Sequence, residues 1–369
     1  VERHRLRIAI VGNWPPPAGG VAVHVEALAR HLAARGADVR VLDVGEGAHR
    51  GGPVVPARAP HRFAAGLVRA AAERRLVHVH TNGANPKSWL VALAAGRARA
   101  PGGPAGVLTL HSGLGPGWLA SGNAAARRAL ARSACAGFGR VVAVSEPIAA
   151  ALGAAGVPRE KLAVLPAFSP SVVGARATPG ALGPFRAAHA PLYAAALAPG
   201  PTYGADVLLP AFEEVRRSRP RAGLVLFGPG TAGLDAGRAG VLALGELAHA
   251  EAAGAIEAAD LFVRPTRADG DAVSVREALA LGTRVIATAV GHRPAGCLLV
   301  PPGDARALAA AMALAGDGGA RPGRVAGPDP FDTLCALYAA LWRGPAGLGR
   351  PRPRTDGGRG RARAPTLQP

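Results

Sequence analysis

The sequence predicts an α/β fold of two domains, each a parallel sheet covered by helices. Three observations lead there. The chain has 369 residues, more than one ordinary core accommodates. Short apolar runs alternate with segments of helical spacing along most of it. The first run meets a helix through a glycine-rich loop, as in a strand–helix–strand unit with right-handed crossover. Hydrophobic residues make up 49% but aromatics only 4%, so the cores rely on small side chains, which suits helices packed closely on a sheet.

The elements follow in order. LRIAIVG (residues 6–12) is a buried strand ending in glycine, and NWPPPAGG (13–20) is a loop. VAVHVEALARHLAARG (21–36) has helical spacing and a glycine stop, and ADVRVLDVG (37–45) is the second strand. LVHVHTNG (76–83) and AGVLTLHSG (105–113) are strands running into loops. RVVAVSEPIAAAL (140–152) is a strand and helix, with Ser145 as cap and Pro147 in the first turn, and KLAVLPAF (161–168) closes this half. Residues 169–190 are rich in Pro, Gly, Ala and Ser and read as a linker. A second series begins with PLYAAALA (191–198), the amphipathic helix at 204–220 and the strand at 222–230. Strands at 259–266, 283–291 and 297–304 follow, with helices at 305–316 and 329–344.

Net charge is +19, and nearly all the cations are arginine, since Lys87 and Lys161 are the only lysines. A coding bias toward Arg, Ala, Gly and Pro explains this as well as attraction to anions does. Basic residues do not alternate with aromatics, which argues against a nucleic-acid partner. Cys135, Cys297 and Cys335 are odd in number and widely spaced, giving neither a disulfide framework nor a zinc pattern. With no signal peptide and no apolar run of membrane-spanning length, the expectation is a cytoplasmic protein. Residues 344–369 read as a disordered Arg/Pro/Gly tail, either solvated or touching anionic lipid at the inner membrane face.

Two stretches carry chemistry. Gly19 and Gly20, after Ala18, open the first helix, where free N–H groups meet an anion. Any tight turn also wants glycine, and the spacing is not that of a dinucleotide-binding fingerprint. In RPTRADGDAVSVREALALG (264–282), Asp269 sits at a strand end and Glu277 eight residues on, one turn into the next helix. Both then face the crevice outside the strand ends, where a carboxylate takes paired hydroxyls of a ribose or sugar. The plainer reading is an acidic helix start that favours the helix dipole. His78 and His80 share a strand face, but a metal pair there needs a third ligand, and the sequence supplies none. His111 ends another strand and points into a cleft or simply packs. Ser145 has no nucleophile elbow around it.

Together these stretches resemble the family-4 retaining glycosyltransferases of GT-B fold, over residues 6–342. The likeness rests on IVGNWPPPAGGVAVHVEALARHLAARGADV, VHVHTN, VLTLHSG, VVAVSEPIAAAL and PTRADGDAVSVREALALGTRVIATAVG. The last is similar to the family's E-x7-E element, with Asp269 in place of the first Glu and Glu277 matching the second. The resemblance implies two Rossmann-like domains facing across a cleft. Residues 1–180 form the acceptor side and 186–328 the nucleotide-sugar side, while helix 329–343 crosses back to the first domain. It implies that Glu277 binds the donor's ribose and that Asp269 contacts the donor sugar, with backbone amides of Gly270, Asp271, Ala272 and Val273 alongside. Gly19 and Gly20 approach the diphosphate, and His111 lines the transferred sugar. Transfer then retains anomeric configuration, with no cofactor beyond the nucleotide-sugar substrate and no bound metal; the acceptor, a glycan, lipid or small molecule, is not named.

One departure matters. The family places an Arg and a Lys after the first strand of the second domain, and here Ala198 and Tyr203 fall there. Arg264, Arg267 and Arg293 are the candidate replacements, with Arg293→Ala expected to abolish turnover. Without a replacement the chain is a non-catalytic relative that binds a nucleotide sugar or a partner protein. A nucleotide-sugar epimerase of the same fold needs a carboxylate or His set that the sequence does not show.

Overall fold

The computed structural model describes residues 5–16, 19–47, 51–316 and 329–343. The first half runs β1 (Arg7–Gly12), α1 (Gly20–Ala34), β2 (Asp38–Asp43), β3 (Val54–Pro56), α2 (Pro60–Ala72), β4 (Leu76–Thr81), α3 (Pro86–Arg97) and β5 (Gly106–Leu110). It continues with α4 (Gly115–Ala120), α5 (Ala124–Ala136), β6 (Phe138–Ala143), α6 (Glu146–Ala154) and β7 (Leu162–Val164). The second half runs α7 (Leu182–Ala188), β8 (Leu192–Ala196), α8 (Ala205–Ser218), β9 (Gly223–Phe227), β10 (Val241–Ala243), α9 (His249–Ala258) and β11 (Leu261–Arg264). Then come α10 (Val273–Ala280), β12 (Arg284–Thr288), β13 (Cys297–Val300), α11 (Ala305–Gly316) and α12 (Pro330–Arg343).

Two parallel sheets carry these elements, as the sequence leads one to expect. Their strand orders are β3-β2-β1-β4-β5-β6-β7 and β10-β9-β8-β11-β12-β13. Ile8, Ala9, Ile10 and Val11 of β1 are all fully buried, which is why the strand is an unbroken apolar run and not an alternating one. The edge strands β3 and β10 have three residues each and leave no periodic signal in the sequence. In each sheet the order reverses beside the first strand, between β1 and β4 and between β8 and β11. Open α/β sheets bind ligands beyond the strand ends at such switch points.

The stretch between the sheets is more structured than its composition suggests. Val172 is buried in the first core, whereas Leu182 of α7 is buried in the second half. Ser145 does stand at the start of α6, yet its hydroxyl makes no capping bond and is buried without a partner. The arginine-rich stretch 344–369 and Ala18 lie outside the described residues. Among the described residues no helix is long and apolar enough to cross a membrane.

α12 follows the second sheet in sequence but packs on the first domain. Phe331, Leu334 and Tyr338 are buried in the core around β1 and β4. Tyr338 Oη bonds His78 Nδ1 at 2.5 Å, and Arg35 of the first half pairs with Asp332 at 2.5 Å. Tyr338→Ala is expected to cost about 3–5 kcal/mol, from the lost ring and the stranded His78 nitrogen. Tyr338→Phe keeps the volume and costs about 1–3 kcal/mol. Urea unfolding of both variants measures the difference.

Candidate active site

The loops at the carboxyl ends of β1, β5, β8 and β11 converge between the domains. Two of them interlock backbone to backbone. A Cβ added at Gly113 would lie 1.9 Å from the Asp269 carbonyl oxygen, and one at Gly270 would lie 2.1 Å from that of His111. Glycine at both positions therefore lets the loop after β5 seat directly against the loop after β11.

Two cavities meet beside this contact. The narrower, about 180 Å³, is lined by Gly19, Phe227, Gly228, Glu246, Leu247, His249 and Glu277, among others. The wider, about 460 Å³, is lined by Asn82, His111, Ser112 and the run from Ala268 to Val273. Gly20, Tyr203, Arg264 and Val273 line both, so they form the neck between them. Here the starts of α1 and α10 face each other: a Cβ at Gly20 would sit 3.8 Å from Val273 Cγ2. Neither helix start is capped by a side chain. A helix N-terminus with uncapped amides attracts negative charge.

The three candidate cations have different fates. Arg264, at the end of β11, reaches the neck. Its Nε donates to Asp269 Oδ2 at 3.0 Å and its Nη1 to the Ala196 carbonyl at 3.2 Å, with the guanidinium 5.4 Å from the Tyr203 ring centre. It thus stands beside the loop where Ala198 and Tyr203 occupy the expected cation positions. Arg267 is turned outward onto Asp206, at 2.7 Å. Arg293 lines neither cavity; its side chain is 4% exposed and backs onto Asp269 Oδ2 at 3.3 Å and the Thr288 carbonyl.

The acidic residues are also differentiated. Asp269 lines the wider cavity, but its carboxylate is engaged by Arg264, Arg293, Thr266 and the Gly270 amide. Burial pushes its pKa up, and the two arginines outweigh this, holding it below the usual value. Asp271 belongs to the run that lines the wider cavity, but its carboxylate is fully buried and engaged: it accepts from Arg276 Nε at 2.7 Å and from the Ala167 amide at 3.0 Å. Glu277, one turn into α10, lies in the narrower cavity and meets His249 Nε2 at 2.5 Å. That hydrogen bond raises the His249 pKa above its ordinary value.

His111 walls the wider cavity at the end of β5, with Nε2 3.0 Å from His80 Nδ1. Burial, then the neighbouring His24 and His78, push its pKa well below the ordinary value, so it is a neutral hydrogen-bonding group near pH 7. Reasoning from sequence missed Asn82, His249 and His24. Asn82 stands in the HTN that ends β4, and its amide oxygen accepts from Ser88 Oγ at 2.5 Å. His249 opens a helix with no periodic apolar signal. His24 left a trace, since it shares a helical stripe with the buried Leu28 and Leu32.

Comparison with known proteins agrees with this architecture. Residues 18–168 match Glycosyltransferase Family 4, and residues 189–315 match Glycosyl transferases group 1. No curated protein matches the chain by sequence. Among solved structures, HepE from Anabaena in complex with UDP is 19% identical with a TM-score of 0.64, over 91% of this chain and 96% of that one. Sucrose-phosphate synthase from Thermosynechococcus elongatus is 19% identical with a TM-score of 0.62, over 90% and 95%. The UDP-forming α,α-trehalose-phosphate synthase from Burkholderia xenovorans is 16% identical with a TM-score of 0.61, over 91% and 98%. At these identities the structures share the fold. With both halves matched in order and the two sheets arranged as described, the chain belongs to the family-4-like glycosyltransferases of GT-B fold.

Proposed function

We propose that the protein transfers a sugar from a nucleoside diphosphate sugar to an acceptor, with retention of anomeric configuration. The observation that carries this reading is the pair of cavities joined at a neck that holds one arginine and two helix starts. The nucleoside occupies the narrower cavity, where Glu277 takes the ribose hydroxyls and His249 holds the carboxylate in place. The diphosphate lies in the neck, against Arg264 and the amides at Gly20 and Val273. The sugar enters the wider cavity, beside His111 and Asn82. As the bond to the sugar breaks, negative charge grows on the diphosphate, and these groups are already oriented toward it. Asp269 acts here by aligning Arg264. The complexes of the Anabaena relative with UDP and with UDP-glucose support a uridine donor as the first to try. The bare loop at Ala198 and Tyr203 favours a second reading, a relative that binds the nucleotide sugar without turnover.

Calorimetric titration with UDP, GDP, ADP and dTDP tests the site. One nucleotide is expected to bind, and Glu277→Ala is expected to weaken it by about 1.5–3 kcal/mol, the worth of hydrogen bonds to a charged group. Equal affinity in the variant removes Glu277 from the ribose. Binding without nucleoside diphosphate release, across a panel of acceptors, favours the second reading.

A further inference from the structure

The cleft floor holds a histidine cluster of which the proposed sugar transfer uses only His111. His78 and His80 alone made an incomplete metal pair in the sequence. In the fold His78 is satisfied, with Nδ1 on Tyr338 Oη at 2.5 Å and Nε2 on Thr109 Oγ1 at 2.7 Å. His80 instead meets two histidines from other elements: His24 of α1 and His111 after β5. One ring nitrogen from each of the three lies within 4.8 Å of the others.

The spacing of the rings is informative. A tetrahedral ion with metal–nitrogen bonds of about 2.0–2.1 Å holds imidazole centres about 5.2 Å apart. The observed separations are 5.0 Å for His24–His80, 5.0 Å for His24–His111 and 5.3 Å for His80–His111. These separations admit such an ion, which draws the nitrogens from within 4.8 Å to about 3.4 Å of one another by side-chain rotation. The His80–His111 hydrogen bond, at 3.0 Å, is what the ion replaces.

The bonding of His24 is a second, independent sign. Its Nδ1 lies 2.7 Å from the Ala167 carbonyl oxygen, which can only accept, so Nδ1 carries the proton. That leaves Nε2 with a lone pair, and Nε2 is buried with no hydrogen-bond partner. His80 Nε2 is buried and unpartnered as well, and its Nδ1, now bonded to His111, is the nitrogen that faces the ion. The residues are 2% and 4% exposed. A histidine that ligates a metal through one nitrogen characteristically donates the other to a carbonyl or carboxylate. Ala167 is in turn held by the Asp271 carboxylate across the domain boundary, through its amide at 3.0 Å.

We propose that His24, His80 and His111 form a three-imidazole site for a divalent transition-metal ion of the zinc type, with its fourth position open toward the wider cavity. An all-nitrogen set suits zinc, copper or nickel and disfavours magnesium and calcium, which take oxygen ligands. The ion fixes the His111 ring, which walls that cavity, and joins α1 to two strand ends of the first sheet. The site stands whether or not the diphosphate reading holds, because none of its evidence comes from the neck.

The test uses untagged full-length chain, stripped with chelator and dialysed, at neutral pH. Zinc is titrated calorimetrically, retained metal is assayed after a second dialysis, and cobalt(II) serves as the optical probe. About one retained equivalent and the intense visible bands of tetrahedral cobalt are expected. His111→Ala, at a partly exposed strand end, and His24→Gln are each expected to weaken binding more than about 100-fold, beyond the loss from removing an outer partner. His61→Ala, on the exposed face of α2, leaves binding unchanged. No retained zinc, a pale octahedral cobalt spectrum, or unchanged affinity in His111→Ala overturns the proposal. Circular dichroism confirms that each variant is folded; if His24→Gln is not, His111→Ala decides alone.

Discussion

Arg264→Gln is expected to lower kcat for sugar transfer by about 10²–10³-fold, the range seen when one oriented donor to a developing anion is removed. The reason is position. Of the three arginines proposed to replace the missing loop cations, it alone lines the neck shared by both cavities. Asp269 and the Ala196 carbonyl hold its fork from one side, and Tyr203 packs beneath the guanidinium. Arg264→Lys restores charge without the fork and is expected to recover only part of the rate. Arg293→Ala is expected to act mainly through Asp269, so its kcat falls less than that of Arg264→Gln and turnover is not abolished. Nucleoside diphosphate release, followed in all three variants at saturating donor, ranks them. Near-normal turnover in Arg264→Gln would sink the assignment.

The metal-free protein is expected to lose more than about 3 kcal/mol of stability per pH unit between pH 6 and 5. Four buried histidines have depressed pKa values, His24 at about 4 and His78, His80 and His111 well below the ordinary 6.5. Burial is the largest cause in each. The unfolded chain takes protons at 6.5 that the folded chain refuses, so this stability is complete above 6.5 and drains as pH falls below it. Each proton taken up on unfolding adds about 1.4 kcal/mol per pH unit, and His24 alone accounts for on the order of 3 kcal/mol by pH 4. His249 has the opposite sign: its raised pKa gives stability that is full below 6.5 and fades as pH rises through the folded value. Glu73, held at about 2 chiefly by its bond to Arg69, gives stability that is full above about 4.5 and is lost only as pH falls from there toward 2, so it leaves the slope between pH 6 and 5 unchanged. Urea unfolding in chelator at half-unit pH steps measures the slope. A slope of one proton or less means that the histidines are not dry in the folded state.

Much of the fold could be read from the chain because the parallel strands are buried on both faces. Such strands appear as unbroken runs like Ile8–Ala9–Ile10–Val11, which composition alone exposes. Strand ends then locate the crevice, which is how Asp269, Glu277 and His111 could be placed near one another. What sequence could not supply is direction. Asp269 and Arg293 both stand near strand ends, yet one lines a cavity while the other is packed behind it, and no local pattern distinguishes them. Nor does spacing reveal that His24, on a helical stripe with Leu28 and Leu32, meets His80 of β4 and His111 after β5. Those contacts depend on how a helix crosses a sheet, and residues far apart in the chain determine it.

The return of α12 to the first domain bears on how the chain can be divided. Cutting after Val172 gives two pieces, neither of which closes its own surface. The later piece would display Phe331, Leu334 and Tyr338 to water, and the earlier one would hold an empty groove with His78 missing its phenol. Produced together, the pieces should recapture one another through that helix and the loop contacts at Gly113 and Ala167, as the halves of a split reporter do. Produced alone, each should be sticky and prone to clump.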